Sequence, residues 1–125
     1  MSKIDSTPLS LPAAGDLTLK KFFFGKWTAN GIDACSVLGE RADGVIGAHQ
    51  KAVPVAGDFV DFYMDRVVLV QSSAAFGKNV ELTPAATGKA VTAVAGNIVR
   101  AKSIDAATAA DQWVRALLIP AYAKP

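Results

Sequence analysis

His49, Cys35 and three closely spaced aspartates are the groups from which any reactive centre in this chain would have to be built. His49 is the single histidine and is followed by Gln50 and Lys51. No second histidine, CxxC or HExxH pattern accompanies it. Neither a transition-metal site nor a relay of nucleophile, histidine and carboxylate is written around it, so it reads as a surface or turn residue. Cys35 is the single cysteine, so no intrachain disulfide can form. In Ala34-Cys35-Ser36-Val37 it reads as small apolar filler. Asp58, Asp61 and Asp65 lack the central glycine and terminal glutamate of a calcium loop. If residues 59–63 are a strand, Phe59, Asp61 and Tyr63 share one face while Val60 and Phe62 share the other. Asp61 then lies between aromatics at an edge or interface, paired or hydrogen-bonded. Ser10, Ser36, Ser72 and Ser73 stand in no GxSxG elbow. Gly39, Gly44 and Gly47 are too widely spaced for a GxGxxG phosphate loop. No catalytic residue, metal ligand or cofactor is therefore expected, and the chain reads as a structural or binding protein and not an enzyme.

Charge narrows the partners. Thirteen basic and eleven acidic residues leave a formal charge of +2, too small to imply nucleic acid without clustering. The one basic concentration is Lys20, Lys21 and Lys26 around Phe22, Phe23 and Phe24. Alternating cations and aromatics of this kind occur on single-strand-binding surfaces. The plainer reading is a β segment that buries its aromatics while the lysine stems reach outward. The first twelve residues contain no secretion-signal core. The densest apolar stretches, residues 67–70 and 116–119, are far short of the roughly 20 residues a membrane helix needs. A soluble protein made in the cytoplasm, with no membrane partner, is the expectation.

The elements that would carry these residues are short strands. From Gly31 onward the chain breaks at a glycine every few residues. Between the glycines, runs rich in branched and aromatic side chains mark strands near 34–38, 59–63, 67–70, 80–83, 90–94, 98–103 and 114–119. Met64-Asp65, between Tyr63 and Arg66, suggests a tight hairpin. Residues 105–111 hold four alanines behind Asp105, which favours a short capped helix. Residues 1–16 contain Pro8 and Pro12 with scattered leucines and read as an extended N-terminal arm, leaving 17–125 as a single β-rich domain. No internal repeat is visible in the sequence. The expected fold is mainly β: a small barrel-like or β-tulip domain with one short helix and an extended arm.

The order of Val37-Leu38-Gly39, Ala52-Val53-Pro54-Val55-Ala56-Gly57-Asp58-Phe59-Val60, Arg66-Val67-Val68-Leu69-Val70, Gly88-Lys89-Ala90-Val91-Thr92-Ala93 and the alanine-rich run from Ala106 to Leu118 resembles the capsid decoration, or cement, proteins of tailed bacteriophages. The resemblance covers about two thirds of the chain. It implies a structural protein that binds the outer surface of assembled heads, with the major capsid protein as partner, self-association as a homotrimer, and the virion as location. It carries over no catalytic residue and does not account for the Phe22-Phe24 block with Trp27. Leu9, Leu11, Leu17, Phe22, Phe24 and Trp27 are the apolar anchors expected at a capsid or subunit interface. The alternative is a small β-barrel module for nucleic acid or carbohydrate, with Lys20, Lys21, Lys26, Phe22, Phe23 and Trp27 as its contact surface.

Overall fold

The computed structural model describes residues 9–49 and 55–125, and its regular elements are all strands. In order they are β1 (Leu9–Pro12), β2 (Phe24–Thr28), β3 (Gly31–Ala34), β4 (Gly44–His49), β5 (Phe59–Tyr63), β6 (Val67–Gln71), β7 (Glu81–Pro84), β8 (Ala90–Thr92), β9 (Ile98–Ser103) and β10 (Trp113–Ala123). Period-2 patterning explains their faces. In β5 Val60 and Phe62 are fully buried, and in β10 Val114, Ala116 and Leu118 turn inward while Trp113, Arg115 and Leu117 turn out.

The strands form two five-stranded sheets, ordered β1-β5-β4-β2-β3 and β6-β10-β9-β7-β8. All named strand pairs are antiparallel. The second order is the first with every strand moved on by five, a repeat of topology that the sequence does not display. Each sheet curls until its ends approach, through one isolated parallel bridge: Ala13 with Ile32 in the first sheet, Ser72 with Ala90 in the second. Among the described residues no ladder of hydrogen bonds completes either circle, so both sheets stay open and the expected barrel is not formed.

The expected helix is also corrected: no helix occurs among the described residues. A single turn or two fixes many dihedrals for few hydrogen bonds, so alanine propensity is easily overridden. Here Ala107 is buried and exchanges both backbone bonds with Phe76, at 2.9 and 3.0 Å. The Ser72 hydroxyl donates to the Ala109 carbonyl at 2.7 Å. Asp105 does not cap a helix but accepts two bonds from the Arg115 guanidinium, each 2.9 Å. The hairpin expected at Met64-Asp65 is absent as well, because β5 and β6 belong to different sheets and residues 64–66 link them.

Two cores result. Ala13, Leu17, Phe23, Ile32, Ala34, Ile46, Val60 and Phe62 fill the first sheet's concave face, with Leu11 against them. Phe24, Cys35 and Val45 from the other face of that sheet join Val68, Val70, Leu82, Val114 and Leu118 in the second core. Arg100 bolts the two halves together. Its guanidinium donates to the carbonyls of Ala42 (3.2 Å), Asp43 (3.0 Å), Met64 (2.5 Å) and Ile119 (2.7 Å).

Candidate interaction surfaces

The groups with chemical potential are dispersed. His49 ends β4 opposite Val60. Cys35 is buried, and burial, with Glu40 nearby, pushes its thiol up to about 12. The Asp58 carboxylate accepts from the Val55 amide at 2.9 Å, tightening the turn before β5. Asp61 lies between Phe59 and Tyr63 on one face of β5, as the alternation predicts. Asp65 lies on the link between the sheets. Among the described residues no three His, Cys, Asp or Glu side chains gather as metal ligands.

The basic aromatic block is pulled apart by the two cores. Residues 17–23 make two successive turns closed by Lys20 N to Leu17 O (3.0 Å) and Phe23 N to Lys20 O (3.2 Å). Each carries a bulky residue in the left-handed region, Leu19 at φ 63° and Phe22 at φ 67°, where such side chains are rare. Phe23 and Phe24 then point into different cores. Phe22 stays half-buried, with the Trp113 ring edge-on to it at 5.2 Å and Lys21 above both rings, 5.3 Å from Phe22 and 4.9 Å from Trp113. Lys26 pairs with Glu40 at 3.2 Å. Burial would raise the Glu40 carboxyl, but the amides of Ser36 and Val37 and the Lys26 ammonium outweigh it and hold it below its ordinary value. Phe23 is buried and Lys26 is engaged, so the six residues of a nucleic-acid surface do not share one exposed face.

The anchors expected at an interface divide in the same way. Leu17 and Phe24 are fully buried core residues and offer no surface to a partner. Leu9–Pro12 pairs with β5 at a sheet edge, with Leu11 packed inward and Leu9 exposed. Trp27 is 54% exposed. Sequence reasoning did not single out Phe59 (52% exposed), Trp113 (54%), or Val37, Leu38 and Val94 on two adjoining loops. The alternation of β5 and β10 does point Phe59 and Trp113 away from the core, which is the signal that could have found those two. The second sheet also carries an open groove of about 550 Å³, bordered by Asn79, Glu81, Thr92, Lys102 and Lys124. The Lys124 ammonium pairs with Glu81 along it.

No protein-family model matches the chain, and no curated protein matches it in sequence. The architecture has a counterpart. The N base of head fiber gp8.5 of bacteriophage phi29 superposes with a TM-score of 0.64 over 89% of this chain and 92% of that one, at 16% identity. This chain has the fold of that fiber base.

Proposed function

We propose that this chain is a structural protein of a tailed-phage virion that docks on the outer surface of the assembled head and reinforces it, acting by binding and not by catalysis. The observation that carries this reading is the fold shared, nearly end to end, with the base of a phage head fiber. Made in the host cytoplasm, it takes the major capsid protein as partner and associates with itself, as a homotrimer on the model of the decoration proteins its sequence resembles. Leu9 and Trp27 are the surface-exposed members of the sequence-derived anchor set and are available for such contacts. A standard interface buries about 1,200 to 2,000 Å² in total, and several copies in one assembly multiply weak contacts through effective concentration. The nucleic-acid alternative loses its support with the dispersal of the Lys20 to Trp27 block.

The test is co-sedimentation of the purified protein with undecorated, expanded heads of the matched phage, and separately with single-stranded DNA, over a salt series. Saturable head binding near 0.15 M salt with little DNA retention is expected, since phosphate attachment falls steeply with salt. Tight, salt-sensitive DNA binding without head binding would sink the reading.

A further inference from the structure

The two sheets share more than their strand order. Paired residues of the first recur as paired residues of the second: Leu11 with Val60 as Val70 with Val114, Phe24 with Val45 as Glu81 with Lys102, Gly25 with Ala34 as Leu82 with Thr92, and Ile46 with Phe62 as Ser103 with Ala116. The isolated bridges fall at matching places, Ala13 with Ile32 and Ser72 with Ala90. So do loop hydrogen bonds. Phe22 N to Ile46 O and Ile46 N to Phe23 O recur as Asn79 N to Ser103 O and Ser103 N to Val80 O, while Gly57 N to Ala13 O recurs as Asp111 N to Ser72 O. Left-handed backbone recurs as well, at Phe22 and Asn79 and at Gly57 and Asp111. Residues 9–63 and 67–123 are two copies of one five-stranded unit.

The contact between the units is head to tail. The first unit offers a socket around Phe22, Phe23, Phe24 and Cys35. The second fills it: Gln71 N donates to Phe22 O (3.0 Å), Phe24 N to Gly88 O (2.8 Å), and the Trp113 ring meets Phe22. The second unit's counterparts of the socket are Asn79, Val80, Glu81 and Ala93, and these line the open groove. The first unit's counterparts of the filling residues Gln71 and Trp113 are Pro12 and Phe59, and Trp27 stands at the place of Pro84, whose carbonyl accepts from Gly39 N of the first unit at 2.9 Å; Trp27 and Phe59 are more than half exposed. Each chain thus carries one open socket, bordered by the Lys124–Glu81 pair, and one uncovered plug.

We propose that the groove on the second unit receives the Trp27–Phe59 face of a second copy of this chain, repeating between chains the ring contact and, as Glu81 N to Asn30 O, the Phe24 N to Gly88 O bond that join the two units within one; the Gln71 N bond has no equivalent, because its counterpart Pro12 has no N–H. Lys78 is the counterpart of Lys21, the cation that stacks on Trp113, and is the same residue type. It stands ready to cover the incoming Phe59. Asp61, beside Phe59 on the same strand face, approaches a groove lined by Lys102 and by the Lys124–Glu81 pair, a net positive rim opposite in sign to its own charge. The groove is more polar than its filled counterpart, with Asn79, Glu81 and Lys102 where the first unit has Phe22, Phe24 and Val45. The contact between chains is accordingly wetter and reversible.

The relation between the units is a rotation. Arg100 donates to the carbonyl of its own counterpart, Asp43, and Gly39 abuts Asn97 of the counterpart loop. Counterparts can touch only near an axis that maps one onto the other. Repeating such a head-to-tail contact closes a ring when the rotation divides a full turn without rise along the axis, and winds a helical filament when it does not; the closed ring is the form proposed here. Val37, Leu38 and Val94 stand exposed on those near-axis loops, where ring closure would cover them.

The experiment measures mass in solution, by sedimentation or light scattering from roughly 1 to 200 µM, a range that captures weak to standard contacts, and it needs no capsid. The wild-type chain is expected to form a discrete oligomer. Phe59→Asp or Trp27→Asp, which remove an exposed plug residue, and Thr92→Trp, which fills the groove, are each expected to give single chains. Mixing Phe59→Asp with Thr92→Trp is expected to restore a one-to-one dimer, because each keeps the half the other has lost. Lys78→Glu is expected to weaken association about two- to fivefold. Wild-type protein that stays a single chain throughout would overturn the proposal. An oligomer unchanged by both kinds of substitution, or a mixture that stays monomeric, would do the same. Far-UV circular dichroism shows that each variant is folded.

Discussion

Arg100 gives the sharpest test of how the two units are held together. Replacing it with Met keeps the aliphatic stem and removes five donors. The carbonyls of Ala42, Asp43 and Ile119 are part-buried acceptors of its bonds, while the bond to Met64 is more exposed and re-solvates readily. Leaving a buried acceptor unsatisfied costs about 1 to 3 kcal/mol. Taking the low half of that range, about 1 to 2 kcal/mol, for three partly accessible groups gives a loss of about 3 to 6 kcal/mol, a fall in Tm of about 10 to 25 °C for a chain of this size. Arg100→Lys keeps one charge but not the planar fork and should lose about half as much. Urea unfolding is the assay, and the molecule supplies its own probes, since Trp27 lies in the first unit and Trp113 in the second. Coincident transitions at the two tryptophans, read in Trp27→Phe and Trp113→Phe backgrounds, establish that a single free energy describes both units. A loss of less than about 1 kcal/mol in Arg100→Met would refute the view that this guanidinium ties the halves together.

Other consequences can be checked more briefly. Cys35, with its thiol pushed up to about 12 by burial, should react with a disulfide reagent at pH 8 many-fold more slowly in the native protein than in guanidinium, and comparable rates would contradict its burial. The Arg115 guanidinium beside Asp105 holds its carboxyl down at about 2. The group therefore favours the fold above the ordinary carboxylate range and loses that contribution as pH falls toward 2. Asp105→Asn should flatten this part of the acid limb of a Tm profile relative to wild type. Leu19, 86% exposed with φ 63°, packs against little, so Leu19→Gly should relieve its backbone and raise stability by about 0.5 to 1 kcal/mol in urea titrations. Deleting residues 1–16 removes β1 and the buried Ala13, uncovering Val60 and Phe62. A marked loss of the cooperative transition is expected, and an unchanged one would show that β1 contributes little.

Much of the strand pattern was legible in the sequence because it rests on alternation. Residues 59–63 and 98–103 are strands with the predicted bounds, and the predicted faces of β5 hold. The helix near 105–111 was misread for the opposite reason: its alanines express a local preference, while Ala107 and Ser72 decide the matter through contacts distant in sequence. Leu17 and Phe24, expected as anchors, lie in the cores, since apolarity alone does not say whether a side chain faces a partner or its own core.

The duplication was illegible because what it conserves is backbone. A ladder constrains amide and carbonyl positions and asks only for a side chain that fits the local face, so Phe62 can stand where Ala116 stands and Phe24 where Glu81 stands. Left-handed positions are more demanding, and three of the four paired ones hold Gly57, Asp111 and Asn79, types that tolerate positive φ. The exception is Phe22. A phenylalanine at φ 67° persists only when its surroundings hold it there, and Phe22 is held by the Trp113 ring and by Gln71 N on its carbonyl, both from the second unit. Its counterpart Asn79 faces an open groove and needs no such restraint. The costly residue therefore sits in the filled socket and the tolerant one in the open socket, the difference expected when one contact is made permanently within the chain and the other is made only on assembly.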